Sequence, residues 1–187
     1  MVEIIEARSP EQIDAARVLF REYEAWLGLD LCFQGFEDEL ASLPGRYASP
    51  EGRLFLAVLE GKTVGCIALR RLEEKVCEMK RLYVRAEAHG RGIGIELIEK
   101  LLDAARETGY ERMRLDTFPD KMGRAVDLYS SLGFVQIPGY YDAPHDGVIF
   151  MELDLSNQSP APNPYSVGGG GTELKVGPSD DGGNTCR

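Results

Sequence analysis

The stretch best suited to chemistry runs from Leu82 to Gly94, Leu-Tyr-Val-Arg-Ala-Glu-Ala-His-Gly-Arg-Gly-Ile-Gly. A strand pattern ends at Val84, glycines recur at 90, 92 and 94, and a long helical pattern follows. The first N–H groups of a helix have no partner within it and carry the positive end of its dipole, so such a junction binds phosphate. Glycines there remove side chains that would hold a diphosphate off the backbone, and Arg91 adds a cation at the rim. An ordinary tight strand-to-helix connection uses the same residues, and the glycines alone leave both readings open. Two nucleotide fingerprints are excluded. No Gly-Lys-Ser/Thr is present, and Gly90, Gly92 and Gly94 do not make the Gly-x-Gly-x-x-Gly of a dinucleotide fold.

A second candidate lies upstream. Glu78 sits inside a central strand pattern, where a carboxylate is unusual unless it is paired or functional. It reads either as a functional group or as the partner of Lys80 or a nearby arginine. Simple alternation puts Glu78, Lys80, Leu82 and Val84 on one face, and Cys77, Met79, Arg81 and Tyr83 on the other.

The elements that position these groups follow from pattern and punctuation. Ser9-Pro10-Glu11-Gln12 combines an N-cap, a proline at the first helical position and a capping box. Ile13, Ala16, Phe20, Tyr23 and Leu27 then recur at helical spacing up to Gly28. A shorter helix spans about 36–43. A hairpin joins 53–60 to 63–72 through a turn at Gly61-Lys62, and a strand covers 75–84. The helix after the glycines carries its apolar stripe on Leu97, Ile98, Leu101, Leu102 and Ala105 and stops at Gly109. A strand over 112–118, a helix over 121–132 ending at Gly133, a short strand from Val135 and a last strand over 147–155 complete the pattern. Strand, helix, strand between 75 and 118 implies a crossover between parallel neighbours.

Residues 157–187, rich in glycine, proline and serine, bury too little apolar surface to offset their ordering entropy and read as a flexible tail. The compact domain is 1–156. A formal net charge of −10 disfavours nucleic acid and anionic membranes as partners. Cys32, Cys66, Cys77 and Cys186 form no CxxC pair, and with two histidines in the chain a metal site is not expected. No apolar run has membrane-spanning length, and a cytoplasmic location is expected.

With these residues in view, the run resembles the coenzyme A-binding motif of the GNAT superfamily of N-acetyltransferases. It is similar to Arg/Gln-x-x-Gly-x-Gly/Ala after a strand ending Leu-Tyr-Val, with His89 in the Arg/Gln place and Gly92 and Gly94 as the glycines. Ala125 to Phe134 resembles the family's Ala-x-x-Leu-Tyr-x-x-x-Gly-Phe segment. The resemblance covers the whole compact domain. It implies an α/β fold with a mixed central sheet, splayed parallel strands four and five, and helices on both faces.

The resemblance further implies acetyl-CoA as co-substrate and direct transfer of its acetyl group to an amine. That reaction requires an uncharged amine, a polarised thioester and a proton for the departing thiolate. The family pattern places Tyr129 as proton donor to the sulfur, and Glu78 where some relatives carry a base. Leu82 and Val84 would bind the pantetheine arm through their main chain, and His89, Gly90, Arg91, Gly92, Ile93 and Gly94 would cradle the diphosphate. Met122 stands where many relatives have an asparagine. Asp116 and Thr117 end the fifth strand near the expected cleft. Tyr140, Tyr141 and Asp142 follow a Pro-Gly turn, and His145 reads as a loop residue. The expected partner is a small-molecule or peptide amine; a homodimer is compatible with the sequence but not specified by it. The competing class is a catalytically weak or inactive coenzyme A-binding module, and a nucleotide-dependent enzyme is a third.

Overall fold

The computed structural model describes residues 1–28, 31, 35–143 and 145–156. The tail expected over 157–187, together with Cys32 and Cys186, lies outside the described residues. Among the described residues seven strands form one sheet: β1 (Val2–Glu6), β2 (Arg53–Leu59), β3 (Lys62–Glu73), β4 (Val76–Val84), β5 (Arg112–Thr117), β6 (Val135–Ile137) and β7 (Ile149–Asp154). The α-helices of the described residues are α1 (Pro10–Leu27), α2 (Phe36–Ser42), α3 (Ile93–Thr108) and α4 (Pro119–Ser131). The strand order is β1-β2-β3-β4-β5-β7-β6, with β4 and β5 parallel and the other neighbouring pairs antiparallel.

Local chemistry sets the element ends. The Ser9 hydroxyl accepts from the Gln12 N–H at 3.3 Å while the Ser9 N–H donates to the Gln12 side chain at 2.9 Å, completing the capping box. The β2–β3 turn sits at Glu60 and Gly61, both at positive φ, one residue earlier than its composition suggests. Positive φ at both central residues gives a two-residue hairpin turn whose twist matches the strands. Helix α4 starts at Pro119, two positions before the apolar periodicity becomes visible, because proline at the first helical position needs no hydrogen bond.

Two cores flank the sheet. On one side Leu97, Ile98, Leu101 and Ala105 of α3 pack with Ile67, Leu69, Met79 and Leu115, and α4 adds Tyr129. On the other, Leu19, Phe20 and Leu27 of α1 and Phe36 and Leu40 of α2 cover Leu54, Leu56, Cys66 and Ala68. Among the described residues no helix is long and apolar enough to cross a membrane, and no cluster of three His, Cys, Asp or Glu side chains could hold a metal ion.

Candidate active site

Strands β4 and β5 pair only at Val76–Arg112, Cys77–Met113 and Glu78–Arg114, after which they separate while β4 continues to Val84 and β5 to Thr117. Main-chain groups of β4 that face this gap have no strand partner on that side. A bulge lies just beyond the last of these pairs, on the β3 side of β4. Cys66 pairs with Tyr83 and Ala68 with Lys80, so Ile67 alone faces both Arg81 and Leu82, which defines a β-bulge. Arg81 takes up the extra residue at φ 59°, a left-handed conformation costing about 1–2 kcal/mol for a side chain with a Cβ.

The bulge overturns the simple alternation along β4. Cys77 and Met79 face the α3 core, and beyond the bulge Leu82 and Val84 face it too. Tyr83 packs toward α1, and Arg81 pairs with α2. Glu78 and Lys80 therefore do not share a face with Leu82 and Val84, because one inserted residue shifts the parity.

The gap forms a cleft through the sheet. From the α3–α4 side Met79, Leu82, Leu115 and Tyr129 line it, and from the α1 side Tyr23, Leu27, Lys80, Asp116, Phe118 and Met122. Lys80 Nζ donates to Asp116 Oδ1 at 2.7 Å, and both side chains are nearly buried. Lys80 lies two residues beyond Glu78, and Asp116 two beyond Arg114, so a side-chain bridge takes over where main-chain pairing stops. Burial opposes ionisation of Asp116, but the Lys80 ammonium, with Arg81 and a hydrogen bond to Tyr141, outweighs it and holds the carboxyl below the usual range.

Glu78 is fully buried and lines none of this cleft. Its Oε2 accepts from Arg70 Nε at 2.6 Å and its Oε1 from the Tyr140 hydroxyl at 2.8 Å, with Lys80 Nζ at 3.8 Å. The arginine pairing weighed from the sequence is thus present. Tyr140 and Tyr141 pack edge-on against Phe150, and His145 lies against Phe118.

Tyr129 is buried in the cleft wall beside Phe134. Burial, with smaller contributions from Tyr23 and Asp116, pushes its phenol well above the ordinary tyrosine value, so it keeps its proton at neutral pH. Met122 lines the same cleft at a break in α4, its backbone at φ −126°, and the Thr117 hydroxyl reaches its sulfur at 3.7 Å.

The glycine-rich turn follows the end of β4. Helix α3 has Gly92 at its N-cap, at φ 76°, with no side-chain cap. Its first N–H groups have no helical acceptor available. A Cβ added at Gly90, Gly92 or Gly94 meets nothing within 4 Å, so the backbone at all three is open to an approaching group. That space and the uncapped amides fit a diphosphate. Arg91 is exposed at the rim, whereas Ile93 is buried in the core and can contribute only its main chain. His89 Nε2 donates to the Val84 carbonyl at 2.7 Å, closing the turn back on the strand end. Arg85 is held by Glu22 and the Thr63 carbonyl.

Sequence reasoning missed the Lys80–Asp116 bridge, the Arg81–Glu39 pair and the place of Tyr23 in the cleft wall. The first joins positions 36 apart and the second positions 42 apart, separations at which no local pattern operates. A second, polar cavity of about 160 Å³ lies between α2 and β3, lined by Asp38, Ser42, Arg46 and Arg70.

Comparison with known proteins agrees with this architecture. A model of the acetyltransferase (GNAT) family matches residues 16–134. An uncharacterized N-acetyltransferase of Schizosaccharomyces pombe is 37% identical over 157 residues, spanning 83% of this chain and 96% of that protein. Among solved structures, a GNAT-family acetyltransferase of Staphylococcus aureus superposes with a TM-score of 0.69 at 23% identity, over 83% of this chain and 99% of that one. The PaiA N-acetyltransferase of Thermoplasma acidophilum, solved in complex with coenzyme A, gives 0.64 at 18% identity, over 82% of this chain and 99% of that one. At those identities the two structures speak for the fold. The family match extends from α1 through the glycine-rich turn to the end of α4, and the chain belongs to the GNAT family of acetyltransferases.

Proposed function

We propose that this protein moves an acetyl group from acetyl-CoA to a primary amine, with both bound at once and no covalent enzyme intermediate. The observation that carries this is the opening between β4 and β5 beyond Glu78–Arg114, with Tyr129 in its wall and the uncapped glycine turn of α3 near the end of β4. Acetyl-CoA supplies an activated acyl group on sulfur. The amides at Gly92 to Gly94 hold its diphosphate, and the main chain of Leu82 and Val84 runs beside its arm. An unpaired N–H of β4 facing the gap polarises the thioester oxygen as a fixed donor. Tyr129, protonated throughout the physiological range, gives its proton to the departing sulfur. Glu78, with Arg70 and Tyr140 on its two oxygens, supports β4 and the β6–β7 connection from behind the cleft.

The test is thiol release. Purified protein given acetyl-CoA and a panel of primary amines should liberate free coenzyme A in an amine-dependent way. Saturable binding of coenzyme A with no turnover on any amine would instead favour the binding module. Absence of both would remove the family's chemistry from this chain.

A further inference from the structure

We propose that the polar cavity between α2 and β3 holds the zwitterionic head of a free α,ω-diamino acid, whose distal amine is the nitrogen acetylated in the adjoining cleft. This rests on the acetyl-transfer reading above. One face of α2 gives Asp38, Glu39 and Ser42 to the cavity, the turn after it gives Arg46 and Tyr47, and β3 gives Arg70. Part of this charge is already matched. Arg70 donates Nε to Glu78, and Glu39 accepts from Arg81 and Tyr47. The remainder is complementary to an amino acid. Among the described residues the Arg46 guanidinium, the Asp38 carboxylate and the two Nη groups of Arg70 have no partner. A carboxylate fits the arginine donors, and an ammonium fits Asp38. An inorganic anion would face Asp38 and Glu39 as well as the arginines, so this balance favours a zwitterion over phosphate. At about 160 Å³ the cavity has room for such a head group.

The cavity and the cleft are neighbours on one side of the sheet. Arg70 pairs with Glu78 and Ala68 with Lys80. Arg70, in the cavity wall, is therefore the diagonal neighbour of Lys80, in the cleft wall, about 7–8 Å away. The Arg81–Glu39 pair joins the two spaces directly, Arg81 lining the cleft and Glu39 the cavity. That separation decides which nitrogen reacts. An α-amine sits on the carbon next to its carboxylate and cannot reach the cleft while the head group is held, whereas an amine at the end of several methylenes can. Tyr23 and Leu27 flank such an arm at the cleft end. The transfer balances. The distal ammonium gives one proton to water, the neutral nitrogen forms the N–C bond as the C–S bond breaks, sulfur takes the Tyr129 proton, and the second proton lost from nitrogen restores Tyr129.

The experiment titrates L-lysine, cadaverine and 6-aminohexanoate into full-length protein loaded with coenzyme A, read by saturation-transfer NMR. Mass spectrometry then locates the acetyl group on lysine after incubation with acetyl-CoA. Cadaverine lacks the carboxylate, and 6-aminohexanoate lacks the α-ammonium. Arg46→Met and Asp38→Asn are compared with wild type; both residues are exposed, so neither change strands a buried charge. Expected are unchanged coenzyme A affinity in all proteins, lysine bound at least about 10-fold more tightly than either analogue, and the acetyl group on Nε. Arg46→Met should weaken lysine and 6-aminohexanoate by about 10-fold but not cadaverine, and Asp38→Asn should weaken lysine and cadaverine but not 6-aminohexanoate. Either analogue binding as tightly as lysine, no binding of lysine, equal lysine affinity in wild type and both variants, or acetylation of the α-nitrogen would overturn the assignment while leaving acetyl transfer standing. Failure of the wild type to bind coenzyme A would remove the underlying reading itself.

Discussion

Arg81 donates Nε and Nη2 to the two carboxylate oxygens of Glu39, at 2.9 and 2.8 Å, from a backbone held at φ 59°. Strand β4 and helix α2 are thereby joined at the bulge, three residues beyond the last β4–β5 pair. The Arg81 guanidinium also lies 5.0 Å from the centre of the Phe36 ring, and the Tyr47 hydroxyl donates to Glu39 at 2.9 Å. The bulge is stabilised by contacts from outside its own strand.

Removing Glu39 would leave a buried guanidinium without its anion, which costs about 3–5 kcal/mol. Glu39→Ala is expected to lower the urea midpoint accordingly. Acid should act through the same pair. Burial opposes the Glu39 charge, but Arg81 outweighs it and holds the carboxyl below its ordinary value. A folded pKa below the unfolded one means this stabilisation is complete above the unfolded value, about 4.3, and fades as pH falls through the folded value. Denaturation of wild type between about pH 5 and 3 should show a slope to which this pair contributes; Glu39→Gln should show a shallower one. Identical slopes would remove the pair from the acid response.

Tyr129→Phe tests the proton donor. Loss of a positioned acid typically lowers turnover by about 10²–10⁴-fold, whereas acetyl-CoA affinity should hold within about 3-fold because the ring remains. Steady-state kinetics with calorimetry separates the two. A phenylalanine variant turning over at the wild-type rate would leave Tyr129 as packing against Phe134.

Glu78→Gln separates support from catalysis. With Arg70 and Tyr140 on its oxygens, the substitution should cost stability, about 1.5–3 kcal/mol for a charged hydrogen bond, and lower kcat less than about 10-fold once the protein is folded. Unchanged stability with a kcat loss above about 100-fold would make Glu78 the base.

Much of the architecture could be read from residue order. The capping box at Ser9–Gln12, the apolar stripe of α3 and the glycine-punctuated approach to its first turn are local signals, and the structure has each in place. The face assignment along β4 failed for a physical reason. A bulge inserts one residue without any glycine to announce it, and the arginine that accepts the left-handed backbone is held by Glu39 from a distant helix. The cleft's polar lining was hidden likewise. Lys80 and Asp116 meet only because two parallel strands separate, and that geometry belongs to the sheet as a whole. Helix α4 starts at Pro119, two residues ahead of the start read from its periodicity.

Calorimetric titration of acetyl-CoA into wild type and Gly94→Leu tests the central claim most directly. Gly94 lies in the first turn of α3, with open space where a side chain would go, so leucine there costs the helix nothing and improves its propensity by up to about 1 kcal/mol. Expected are a thermal midpoint equal to or above wild type and acetyl-CoA binding at least about 100-fold weaker, near 2.7 kcal/mol. A leucine variant that folds as well and binds acetyl-CoA as tightly as wild type would contradict the account, because the cofactor's diphosphate would then lie elsewhere.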